Sequence, residues 1–91
     1  MIEFRPIPGR TGCTALTIYR PGEFMPGDKA FGVFVGGSGV GAATTLAAAK
    51  TLLLKRARGY CQRHIDDALV EVDHYRVQLA RLHKVGLEAK R

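Results

Sequence analysis

The sequence predicts an α+β fold, in which three or four short antiparallel strands precede one long C-terminal helix that pairs with a second copy as a coiled coil. Three observations carry this reading. All 4 prolines and most of the 11 glycines fall before residue 45, among short β-branched and aromatic runs, the composition of strands joined by turns. From Thr45 onward proline is absent and glycine interrupts only at Gly59 and Gly86, as a helix requires. Apolar residues then recur at three and four, the period of a helix face.

Taken in order, Ile2 to Arg5 reads as a short edge strand stopped by Pro6 and Pro8, since proline cannot donate to a ladder. Thr14 to Tyr19 sets Thr14, Leu16 and Ile18 against Ala15, Thr17 and Tyr19, a period-two pattern with one apolar face. Pro21-Gly22 and Pro26-Gly27-Asp28 mark turns, and Ala30 to Val35 is rich in the valine and phenylalanine that strands favour. Gly36 to Gly41 reads as the next turn and Ala42 to Thr44 as a short final strand.

Thr44 or Thr45 is placed to cap the helix start, and Gly86 to close its end in a left-handed conformation. Leu46, Ala49, Leu53, Ala57 and Tyr60 form a stripe to lie on the sheet. Cys61, Ile65, Ala68, Val72, Tyr75, Leu79 and Leu82 continue in a four-three alternation, the seam of a coiled coil. A helix over 45–85 would be ~60 Å long at ~1.5 Å per residue, too long for a small sheet to cover. The seam from Ile65 to Leu82 is therefore assigned to a homodimer, antiparallel about Tyr75, because that crossing sets Asp66 near Lys84 and Asp73 near Arg76. A kink at Gly59 is compatible with this, and a helical hairpin broken there is the alternative. Residues 86–91 are expected to fray.

The chain of 91 residues suits one domain over 1–91. Its 14 Lys and Arg against 8 Asp and Glu give a net charge of +6. The excess is local: Lys29, Lys50, Lys55, Arg56, Arg58 and Arg63 lie within 29–65, which contains no Asp or Glu. Cys13 and Cys61 match neither a C-x-x-C pair nor a secreted disulfide framework. No run approaches the ~20 apolar residues of a membrane helix. A cytoplasmic location without membrane partners follows as an expectation.

Several motifs invite chemistry and then fail its requirements. In Val33 to Ala42, Gly37, Gly39 and Ala42 fit G-x-G-x-x-[G/A], but too little chain remains for the repeated βαβ units of a dinucleotide site. Gly36 and Gly41 fit the start of a Walker loop, yet Ala42 and Ala43 stand where the lysine and the hydroxyl belong. His64, Asp67, Glu71 and His74 share one face of a continuous helix, but a di-iron centre draws carboxylates from further helices. No metal and no cofactor is assigned. His64 lies three residues from Cys61, close enough to lower a thiol pKa, although Cys61 reads more simply as an apolar seam residue. No catalytic residue is assigned and no enzyme is expected.

What remains is the basic segment. Lys50, Lys55, Arg56, Arg58 and Arg63 offer several cations to a phosphate backbone, with Tyr19, Phe31, Phe34 and Tyr60 as candidate stacking rings, the strand rings being expected under the helix. The strands entering Thr45-Leu46-Ala47-Ala48-Ala49-Lys50 resemble small sheet-plus-helix DNA-binding modules of mobile elements; no residue role is carried over from them. The expectation is a small basic nucleic-acid-binding protein. The alternative is a phage or mobile-element interaction module, such as an anti-CRISPR-like inhibitor docking on a host ribonucleoprotein or other nucleic-acid-handling complex.

Overall fold

The structure, a computed structural model, describes residues 1–9, 12–66 and 72–90. Four strands, β1 (Ile2–Pro8), β2 (Cys13–Tyr19), β3 (Phe31–Val35) and β4 (Ser38–Ala43), form an antiparallel meander in the order β1-β2-β3-β4. Two helices follow, α1 (Leu46–Asp66) and α2 (Val72–Lys84).

β1 runs through both prolines rather than stopping before them. Phe4 pairs with Leu16 and Ile7 with Thr14, so two residues, Arg5 and Pro6, face the single Ala15. Pro6 thus falls at a β-bulge, where the interrupted ladder asks for no donor from it. The bulge also returns Ile7 to the face of Phe4, which a regular strand would not do, and both are buried there.

The glycine-rich segment is a strand, not a long turn. Only Gly36 and Gly37 turn the chain, between the paired Val35 and Ser38. Gly36 has φ 65°, the positive value that a two-residue hairpin needs at its first central position and that a side chain resists.

Leu16, Ile18, Val33 and Val35 project to one face of the sheet with Phe4 and Ile7, and α1 lies over that face. It contributes Ala49, Leu53, Ala57 and Cys61, four residues at a spacing of four, each fully buried. Three of the four are small, which lets the helix backbone approach the strands. Thr45 caps the helix as its sequence position suggests, its Oγ1 accepting the Ala48 N–H at 3.1 Å.

The single long helix is replaced by two. α1 runs through Gly59 without a break and ends at Asp66; the connection lies outside the described residues. α2 returns along α1, and the longest dimension of the molecule is 41 Å, well short of a ~60 Å helix. The physical reason is the seam itself. Tyr75 and Leu82 are buried in the core of their own chain, and Ile65 and Leu79 pack against it, so the apolar surface that would have joined two copies is covered within one. Ala68 and the Val72 side chain lie outside the described residues.

Four contacts fix α2. Its last turn is closed by Gly86, φ 78°, whose N–H donates to the Leu82 carbonyl at 3.0 Å. That carbonyl also accepts from Arg58 Nη2 at 3.2 Å. At the other end, the His74 ring meets the Pro8 carbonyl, and His64 stacks on Tyr75 at 4.4 Å and 10°.

The segment after α2, expected to fray, lies along the free edge of β1. Arg5 N–H donates to the Glu88 carbonyl at 2.6 Å, and Ala89 bridges Phe4. The Glu88 carboxylate lies 3.3 Å from Arg5 and 3.6 Å from Arg81. The tail covers one sheet edge and leaves β4 as the open one.

Truncating Leu82 to Ala is expected to cost about 2–5 kcal/mol at every protein concentration. Thermal denaturation over a hundredfold dilution checks this; a midpoint that falls on dilution of the unmodified protein would return the seam to a dimer.

Candidate functional site

On α1, Arg56, Gly59, Tyr60 and Arg63 fall at successive offsets of three, one and three, which gathers them on one face of the helix. Lys55 stands one turn before Gly59 on the same side. This face looks along the β3–β4 hairpin, and the two elements enclose a groove of about 510 Å³ lined by Val35, Ser38 and Val40 from the strands and by Lys55, Arg56, Gly59, Tyr60 and Arg63 from the helix.

Each lining residue is there for a local reason. Val35 and Ser38 are the paired residues flanking the hairpin turn and share its groove-side face. Val40 is the extra residue of a bulge, since Val33 pairs with Gly41 and Phe34 with Gly39. Tyr60 is held from below, its hydroxyl accepting from Thr14 Oγ1 at 2.9 Å and its ring against His64 at 4.5 Å. Gly59 supplies no side chain, and a Cβ there would meet nothing within 4 Å, so the helix wall is open at mid-groove.

Three of the five basic residues singled out in the sequence, Lys55, Arg56 and Arg63, are brought together here. The other two are not. Lys50 is exposed on α1 outside the lining, and Arg58 is half-buried with its guanidinium turned to the end of α2, a structural role. No acidic side chain lines the groove among the described residues. Three cations around a partly apolar, open trough suit a ligand with several phosphates, the cations facing anionic oxygens and the Tyr60 ring and valines facing less polar atoms.

The remaining chemistry-bearing residues are dispersed. Ser38 is exposed on the hairpin. His64 belongs to α1 and His74 to α2, both against Tyr75, while Asp67 and Glu71 lie outside the described residues. Among the described residues no group of His, Cys, Asp or Glu is arranged to hold a metal ion. No helix among them is long and apolar enough to cross a membrane. The glycine segment spends its backbone on the β3–β4 turn and pairing, so no glycine loop opens onto a helix N-terminus as phosphate loops do.

The aromatic rings divide differently from expectation. Phe31 packs against the core, but Tyr19 and Phe34 point to the opposite face of the sheet, where they meet Phe24 from the β2–β3 connection. The alternation along β2 already separates Tyr19 from Leu16 and Ile18; nothing in the sequence marks Phe24.

Comparison with protein-family models, curated proteins and solved structures found no match.

Cys61 is unsuited to nucleophilic chemistry. It is fully buried, and burial pushes its thiol up from 9.0 to about 11, against a smaller opposing pull from Arg81. The unfolded chain loses this proton first as pH rises, so folding stability is retained below about pH 9 and falls toward pH 11, by about 2 to 3 kcal/mol in all. Urea denaturation of the unmodified protein and of Cys61→Ala across that range isolates the effect: the unmodified protein should lose more stability, and parallel curves would exclude it.

Proposed function

We propose that this protein binds nucleic acid without catalysing a reaction, laying a phosphate backbone in the groove between α1 and the β3–β4 hairpin. The observation that carries the reading is the convergence of Lys55, Arg56 and Arg63 on one trough whose described lining contains no carboxylate. A solvated helix face chosen only for solubility has no reason to gather its cations beside a hairpin, over an open glycine. The net charge of +6 adds long-range attraction to the same ligand.

The packing of Tyr75, Leu79 and Leu82, residues of the expected coiled-coil seam, within their own chain supports a single chain as the binding unit. A reducing compartment such as the cytoplasm suits Cys13 and Cys61, neither of which is in a disulfide.

Each phosphate neutralised releases counterions, and log affinity falls against log salt by about 0.7 to 0.9 per contact. Three contacts correspond to a slope of about −2 to −3, measured by fluorescence anisotropy with a labelled oligonucleotide. Combined Lys55→Gln, Arg56→Gln and Arg63→Gln substitution should flatten that slope and weaken binding with little change in stability. Arg58→Gln should do the reverse, lowering the melting temperature while leaving the slope in place. Gly59→Leu retains every charge but fills the trough, and should weaken binding without unfolding the helix. No binding by the unmodified protein at low salt would refute the function.

A further inference from the structure

The face of the sheet opposite the helices is built from small residues around a group of rings. Ala15, Thr17, Gly32, Gly39 and Ala42 belong to this face by register with Tyr19 and Phe34. On it, Tyr19, Phe24 and Phe34 form a triangle with ring centroids 5.4, 5.1 and 5.1 Å apart. Phe34 lies between two glycines: a Cβ on Gly32 would come within 3.3 Å of its ring and one on Gly39 within 3.5 Å. The ring therefore rests low over the strands, and no side chain rises from those two neighbouring positions. Phe24 is 57% exposed and Met25 beside it 60%.

The charges bordering this patch are of both signs: Asp28, exposed in the same connection as Phe24, accepts the Ala30 N–H at 3.1 Å. Arg20 and Lys29 flank the loop and are exposed. Glu23, the nearest carboxylate in sequence, accepts hydrogen bonds from the Met1 ammonium and the Arg20 N–H, both at 2.6 Å, and these hold it below its ordinary pKa. Glu3, on the same face, is matched by Lys90 at 3.3 Å.

The patch and the basic groove are two sides of one hairpin. Phe34 and Gly39 look to the open face, while Val35, Ser38 and Val40 line the groove, and β4 is the outermost strand between them. We propose that the open face is a stacking platform for unpaired bases, with Phe34 and Phe24 as the stacking rings and Tyr19 as their support, so that the ligand is single-stranded nucleic acid whose backbone crosses the β4 edge into the groove. This rests on the nucleic-acid reading of the groove and specifies its ligand. Stacked bases inside a duplex present no free face to such rings, whereas every unpaired base does.

The test compares three probes at one ionic strength: a thymidine 12-mer, an abasic 12-mer with the same number of phosphates, and a 12-base-pair duplex. The thymidine strand should bind at least about tenfold more tightly than the abasic one, as stacking on even one ring implies, and more tightly than the duplex. Phe34→Leu and Phe24→Leu should each bring thymidine affinity toward the abasic value and leave abasic affinity unchanged. Phe24 is exposed, so its variant reports on binding even if Phe34→Leu fails to fold. Equal affinity for thymidine and abasic strands overturns the platform but keeps the phosphate groove. Unchanged thymidine affinity in both variants overturns it as well. Failure of all three probes to bind overturns the groove function itself.

Discussion

Ala49, Leu53, Ala57 and Cys61 seat α1 on the sheet, and the positions of everything else follow from that contact. The four side chains are fully buried and three of them are small, so the helix sits close and has little freedom to roll. A helix held by this strip must turn Arg56, Gly59, Tyr60 and Arg63 toward the β3–β4 hairpin and Arg58 toward α2. Charge on α1 is thus divided by geometry into two uses. Lys55, Arg56 and Arg63 open onto the groove, while Arg58 closes the last turn of α2 through the Leu82 carbonyl.

The second consequence of that seating is the return of α2. With one flank of α1 against the strands, the chain still carries an apolar row from Ile65 to Leu82, and exposing it to water costs roughly 25 cal/mol for each Å² of apolar surface. Folding back covers Tyr75 and Leu82 beside Cys61 and the edge of the sheet. The stack of His64 on Tyr75 and the contact from His74 to Pro8 then pin the start of α2 where the strands end.

Much of this architecture is legible in the chain because it depends on local rules. The alternation along Thr14 to Tyr19 places Leu16 and Ile18 inside and Tyr19 outside; Thr45 caps; Gly86 closes the final turn. Features that depend on distant neighbours are not legible. Gly59 looks like a helix end, but a helix lying on a sheet tolerates an interior glycine, because tertiary burial of Ala57 and Cys61 exceeds a propensity cost of about 1 kcal/mol. The four-three seam has the same spacing whether its partner is a second copy or the preceding helix. Arg58 is indistinguishable by type from Arg56 and is separated from it only by direction. Phe24 sits among turn signals, and its membership of a ring cluster comes from the third dimension alone.

The β3–β4 hairpin joins the two surfaces, one basic and one aromatic, on either side of a strand made of small residues. Amide chemical-shift mapping with a short single strand tests this arrangement most directly. Perturbations are predicted along Ser38 to Val40, along Lys55 to Arg63, and at Tyr19, Gly32 and Phe34 on the opposite face. Perturbations confined to the outer side of α2 or to the tail beside β1, with the hairpin and α1 unmoved, would contradict it.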